Sequence, residues 1–282
     1  MKIAIIGLGL IGGSMAIDLK RRHFADVVLG VEADSLHSSA ALSMGLVDKI
    51  VTLDEAIQEA DLIILAVPVG VATRLLSDIL DKLDEGSNKI IADVCSTKSE
   101  IVRSVEGHPM RKNYVATHPM AGTEYSGPWA AMSGLFDGRA CIICNEGDSS
   151  NYAVETLKEM YNILDMRQIS MDAIQHDVHT AYVSHISHVT SFALALTVLE
   201  KEKNEKHIFD LASGGFSSTV RLAKSNADMW VPILSQNKEN VIQVIDTYLE
   251  KMELFREAIA SGDDAKVRTL IESANHIKRI LR

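Results

Sequence analysis

"IAIIGLGLIGGSMA", Ile3–Ala16, decides how this chain is built. An apolar run reads as a buried strand, glycines follow at positions 7, 9 and 12, and the next apolar residues open a helix. A lone G-x-G-x-x-G is a weak signal, but here it has the strand-before, helix-after context that a dinucleotide-binding turn requires. Gly7 makes the tight turn, Gly9 lets a pyrophosphate approach the backbone, and Gly12 lets helix and strand pack closely. The helix start presents unpaired N–H groups to phosphate. The same residues mimic a signal peptide, a lysine and then an apolar run, but the glycines interrupt it.

Outward from that loop, "KIAII", "VVLGVE", "LIILAV", "KIIADV", "YVAT" and "ACIIC" alternate with amphipathic stretches such as Ala72–Leu83. That alternation predicts βαβ units and a mostly parallel sheet, an α/β Rossmann-type domain over residues 1–170. "NEGDSSN" starts a helix with Ser149 or Ser150 as its cap. Beyond about Met171 no run reads as a strand. "DAIQHDVHTAYVSHISHVTSFALALTVLEKEK" predicts a helix of about thirty residues, apolar almost all round in its middle, which belongs in a core or a subunit interface. Further helical runs cover Met229–Ser261 and Asp263–Leu281, with Asp263 as a cap. Residues 171–282 therefore read as an all-α second domain. No stretch reads as long and apolar enough for a membrane span.

A net charge of −10 gives no basic face for nucleic acid. An anionic substrate would need a local cationic pocket. Three cysteines suit a reduced cytoplasm rather than a disulfide framework. Cys141 and Cys144 form a C-x-x-C within a strand-like run, where residues three apart face opposite ways, too little for zinc.

Glu32 ends the second strand, where a carboxylate accepts hydrogen bonds from the adenosine ribose hydroxyls. No basic residue follows it in "VEADS", which points to NAD rather than NADP; alternatively Glu32 is a solvated strand end. In open α/β sheets the ligand lies outside the carboxyl ends of the strands. "LIILAVPV" and "IIADVCSTK" end there, placing Val67, Pro68, Ser96 and Thr97 along the cofactor. The cofactor set is thus Gly7, Gly9, Leu10, Ile11, Gly12, Glu32, Val67, Pro68 and Thr97. "ATHPMAGTEYSG", Ala116–Gly127, follows another strand and aims His118 into the same cleft. Taken alone, His118 is either a structural strand-end residue or a catalyst.

"GLGLIGGS", "AVPV", "DVCSTK", "THPMAGTEYSG", "HDVHTAYVSHISH" and "GGFSSTVRLAKSNADMW", in this order and spacing, closely resemble the prephenate dehydrogenase family with its arogenate dehydrogenase relatives. The resemblance covers essentially the whole chain, and "HPMAGTE" is its most specific element. It implies an NAD(P)-binding domain, a helical domain that dimerises, and oxidative decarboxylation of prephenate to 4-hydroxyphenylpyruvate on the route to tyrosine. His118 resembles the catalytic histidine that hydrogen-bonds the ring hydroxyl, and Ser96 the serine assisting it. Thr123 and Glu124 match a loop bordering the substrate entrance; His176, His188 and Arg221 match residues lining the substrate pocket. One departure is that Ser217 and Ser218 follow Phe216, where many relatives carry Arg-Asp. The chain is also expected to lack a fused chorismate mutase and an appended regulatory domain.

The implied chemistry needs neither metal nor covalent nucleophile. It needs a neutral imidazole, with the ordinary pKa near 6.5 suited to the task, and a guanidinium for a carboxylate. The four histidines His176, His179, His185 and His188 raise a metal reading, but on a straight helix the first pair points about 180° from the second. Competing functions are another two-domain dehydrogenase, of 3-hydroxyacid or imine reductase type, and a non-catalytic NAD sensor. Prephenate and arogenate, a keto against an amino side chain, are not distinguished.

Overall fold

The structure is a computed structural model that describes residues 1–203 and 208–280. Its eight strands are β1 (Lys2–Ile6), β2 (Val27–Val31), β3 (Lys49–Ile50), β4 (Leu62–Leu65), β5 (Ile90–Asp93), β6 (Tyr114–Pro119), β7 (Ala140–Cys144) and β8 (Arg167–Met171). They form one sheet in the order β3-β2-β1-β4-β5-β6-β7-β8. All pairs are parallel except β6 with β7. The order reverses between β1 and β4, the switch point at which such sheets open a ligand crevice.

Helices α1 (Leu10–Arg21), α2 (Ser35–Ser43), α3 (Leu53–Glu59), α4 (Val69–Asp81), α5 (Ser99–Ser104) and α6 (Asn151–Ile163) cover the two faces. The apolar strands sort their side chains by the two-residue pleat. Ile3, Ile5, Leu62 and Ile64 join Met15 and Leu19 of α1 and Leu157 and Met160 of α6. Ala4, Ile6, Ile63 and Leu65 join Leu76 and Ile79 of α4. Cys141 and Cys144 fall in opposite clusters, as a strand requires. Ser150 caps α6 through the Ala153 N–H. A Thr52–Glu55 capping box starts α3.

After β8, the described residues are helical or irregular. Helix α7 (Ala173–Thr180) runs through a π turn (Ala181–His185) into α8 (Ile186–Glu202). Short α9 (Gly214–Thr219) and α10 (Ala227–Gln236) follow. Trp230 and Ile233 of α10 enter the core cluster of β4 and β5. The chain accordingly divides into compact units Met1–Asn237 and Lys238–Arg282, so residues 171–237 group with the sheet rather than with the last helices. The run expected over Met229–Ser261 is two helices, α10 and α11 (Lys238–Ser261), separated at Asn237. In the second unit α11 and α12 (Asp264–Ala274) meet at Gly262, whose φ of +69° suits glycine, and Asp263 caps α12.

One expectation is overturned. The continuous helix Ala173–Glu202 spans 30 residues and contains an 18-residue window of mean hydropathy 1.3 that is only 11% buried, enough by length and composition to cross a membrane. Histidine, serine and threonine stand where a surface helix would carry charges, which raises its apolarity.

Candidate active site

The glycine loop closes the carboxyl end of β1. Gly7 has φ +95°, and a Cβ there would lie 2.5 Å from the Ala66 carbonyl oxygen after β4. At Gly12 a Cβ would meet the Gly7 carbonyl at 2.0 Å. At Gly9 nothing lies within 4 Å, so this edge of the loop is open. Gly9 is also the N-cap of α1 and makes no side-chain cap, leaving first-turn N–H groups, Leu10 and Ile11 included, for a ligand. Glu32 accepts from Leu8 N–H at 2.9 Å and Asp34 N–H at 3.1 Å, one on each carboxylate oxygen. Each oxygen keeps a lone pair for a ribose hydroxyl. A dinucleotide fits this cradle.

Val67, Pro68 and Ser96 follow the carboxyl ends of β4 and β5 and are partly or fully exposed. Thr97 departs from expectation. It is 1% exposed and its hydroxyl donates to Gln236 of α10 at 2.7 Å, so α10 seals it from the cleft.

His118 lies near the end of β6, in register with Ile142 of β7. Its Nδ1 is 2.8 Å from Nε2 of His176, whose own Nδ1 is 2.8 Å from Oδ1 of Asp177. Among the described residues its Nε2 has no hydrogen-bond partner, and the residue is 8% exposed. Burial above all, with the Lys98 ammonium among the neighbouring groups adding to it, pushes the His118 imidazole well below its usual pKa. The ordinary value expected for it is thus replaced by a lower one. The ring stays neutral through the physiological range.

His176 is fully buried behind His118 and so does not line a pocket. The straight-helix phase also fails: the π turn absorbs an extra residue and brings His185 to the buried side with His176. His185 Nδ1 meets Asn237 at 3.2 Å, whereas His188 stacks on Trp230 with ring centroids 3.5 Å apart. His188 remains partly exposed.

The loop after β6 carries Thr123 and Glu124. Thr123 accepts from Tyr125 N–H at 3.2 Å. Glu124 accepts from Arg221 Nη1 at 2.9 Å, so the entrance loop and the candidate carboxylate anchor are already ion-paired. Ser217 and Ser218 sit exposed on α9, Ser218 donating to the Gly215 carbonyl.

Sequence reasoning missed a buried polar group beneath His118. Asp93 and Lys98, both 0% exposed, form an ion pair. Tyr114 donates to the other Asp93 oxygen at 2.7 Å. An aspartate within the apolar run "KIIADV" was the available signal, since a carboxylate in a buried strand needs a partner.

A family model of the prephenate dehydrogenase nucleotide-binding domain matches residues 15–170, and one of the prephenate dehydrogenase dimerization domain matches 172–273. This chain belongs to the prephenate dehydrogenase family. The prephenate dehydrogenase of Lactococcus lactis is 32% identical over 99% of this chain and 77% of its own. The cyclohexadienyl dehydrogenase of Zymomonas mobilis is 30% identical over 93% of this chain and 89% of its own. The prephenate dehydrogenase of A. aeolicus, solved with hydroxyphenyl propionate and NAD+, superposes with a TM-score of 0.89 at 27% identity, covering 99% of this chain and 98% of that one.

Proposed function

We propose that this family member oxidatively decarboxylates prephenate to 4-hydroxyphenylpyruvate with NAD, in tyrosine biosynthesis in the cytoplasm. The observation that carries the reading is His118: a neutral imidazole whose open Nε2 sits at the same sheet edge as the glycine loop.

NAD, when bound, supplies the hydride acceptor. Gly7, Gly9, Leu10, Ile11 and Gly12 hold its pyrophosphate, Glu32 its adenosine ribose, and Val67 and Pro68 flank it. His118 Nε2 accepts the hydrogen bond of the substrate's ring hydroxyl and takes its proton as the carbinol carbon becomes a carbonyl. Loss of CO2 aromatises the ring, and the proton returns to the same oxygen. Ser96 sits beside this transfer. Arg221 meets a substrate carboxylate, a charge-assisted contact for which it exchanges Glu124. Thr123 and Glu124 border the entrance, and His188, held flat on Trp230, offers an edge to the pocket.

Residues 171–282 serve as the helical substrate and dimerisation domain, and a second copy covers the exposed apolar face of α8. The match of residues 172–273 to the dimerization-domain model supports this.

The test is a four-arm assay, prephenate and arogenate each with NAD and NADP, read by the absorbance of the reduced nicotinamide. Turnover of prephenate with NAD is expected. Turnover of arogenate alone would make this an arogenate dehydrogenase, and no turnover in any arm would refute the reading.

A further inference from the structure

We propose that His176 and Asp177 are positioning residues that lock the His118 ring in one tautomer, with its proton on Nδ1 and its lone pair on Nε2. The proposal rests on the reading of His118 as the proton acceptor.

Asp177 is 2% exposed. Its Oδ1 accepts from Lys98 N–H at 2.8 Å and faces His176 Nδ1 at 2.8 Å, while its Oδ2 accepts from Ser99 N–H at 2.8 Å. Burial alone would raise its pKa, but the hydrogen bonds from His176 and Ser99 win, and the carboxyl stays ionised. An ionised carboxylate only accepts, so the hydrogen at the His176 contact must be on Nδ1 of His176. A neutral His176 then has a bare Nε2. The 2.8 Å contact from that atom to His118 Nδ1 is a hydrogen bond only if His118 carries its hydrogen on Nδ1. The lone pair of His118 is left on Nε2, which has no partner among the described residues.

The rival arrangement makes His176 an imidazolium donating from both nitrogens, which would put the His118 hydrogen on Nε2 and block proton acceptance. The surroundings oppose it. His176 is fully buried, and burial lowers its pKa despite the bond to Asp177, with the Lys98 ammonium adding to the effect. Asp93, the other charge facing this site, is committed to Lys98, and His185 is itself held neutral by burial at about 4.

The same chain has a second consequence. When His118 takes the hydroxyl proton it becomes a buried cation beside Lys98, and Asp177 offsets that charge through His176. A carboxylate orients and stabilises the general base of hydrolases in the same way, with a single histidine between nucleophile and acid. Because Asp177 also holds the Lys98 and Ser99 N–H groups, it ties the turn that carries Ser96 to the imidazole of His118.

The decisive measurement is nitrogen-15 NMR of the whole enzyme with ring-labelled histidine, the His118 and His176 signals being assigned by His118→Asn and His176→Gln. Both rings should carry hydrogen on Nδ1 and a bare Nε2, opposite to the tautomer that free histidine favours. Hydrogen on Nε2 of His118 would overturn the proposal, whether or not the enzyme turns over prephenate. Kinetics give an independent arm. His176→Gln keeps an oxygen to accept from His118 and an amide to donate to Asp177, and should retain kcat. His176→Leu removes the acceptor and should lower kcat at least about tenfold, with NAD affinity unchanged. Wild-type kcat in His176→Leu would equally overturn the role. If that variant does not fold, His176→Gln decides: a tenfold loss there, with the native fold intact, would count against orientation as the role.

Discussion

At His118 the balance of burial and neighbouring charge sets both the protonation state and the pH at which it fails. Proton acceptance needs the neutral ring, and burial with Lys98 nearby keeps it neutral to lower pH than a free histidine. Activity is therefore retained above the depressed pKa and lost as pH falls through it. The acid limb of kcat/KM should lie clearly below pH ~6.5, the ordinary imidazole value. A limb centred at or above that value would assign it to another group. His118→Asn should lower kcat by about 10²–10⁴-fold with NAD affinity nearly unchanged, because the ring acts as the proton leaves. Activity within a few-fold of wild type would make this histidine structural. Arg221 requires a more modest figure. It is half exposed and already paired with Glu124. Solvent screening and the competing carboxylate place its contact at the low end of about 1.5–3 kcal/mol, so Arg221→Ala should raise the substrate KM roughly tenfold while kcat holds. An unchanged KM for both prephenate and arogenate would show that the carboxylate anchor lies elsewhere, with Ser217 and Ser218 the first place to look.

Among the elements, those written as local pattern were legible in the sequence and those made by tertiary contact were not. β1, the glycine turn and α1 read directly, because a buried parallel strand is a near-continuous apolar run and the turn admits only glycine at Gly7 and Gly12. His118 was found as a strand-end residue in a specific motif. β8 was missed because "RQISM" lies at the sheet edge, half exposed, and mixes polar with apolar residues. The π turn left no local signature, so the histidine phases computed for a straight helix were wrong. The role of His176 depends on a contact 58 residues away in sequence, which no spacing rule encodes. Thr97 sat in the right motif, but α10, far along the chain, covers it. Glu32 was legible as a strand-end carboxylate, and the structure places it just past Val31 of β2 and adds its bonds to Leu8 and Asp34 N–H. Glu32→Ser should thus have two effects. It should narrow the kcat/KM advantage of NAD over NADP by removing repulsion of a 2′-phosphate, and it should weaken NAD itself by loosening the loop. A wild-type kcat/KM for NADP equal to that for NAD would remove Glu32 as the selector.

For the whole molecule, the exposed apolar surface on α8 is the feature a single copy leaves unresolved. Leu196 is 67% exposed and Leu199 51%, on a helix otherwise poor in charge, and Val183 of the preceding π turn is 67% exposed. Water disfavours leaving such a face exposed, because covering it releases about 25 cal/mol per Å² of apolar surface. Two-fold association places the same face of each copy in the interface, so one substitution acts twice. Leu196→Glu replaces a contact worth about 1.5–3 kcal/mol per copy with a charge that must be desolvated or exposed. The dimer dissociation constant should rise by about 10²–10⁴-fold, 1.4 kcal/mol being a factor of ten. Light scattering across a dilution series would show the wild type at twice the chain mass while Leu196→Glu falls to the single-chain mass at micromolar concentration. Circular dichroism would report whether each chain keeps its fold. A variant that stays dimeric with unchanged dilution behaviour would take Leu196 out of the interface. A wild type at the single-chain mass at all concentrations would leave the helix face to some other partner.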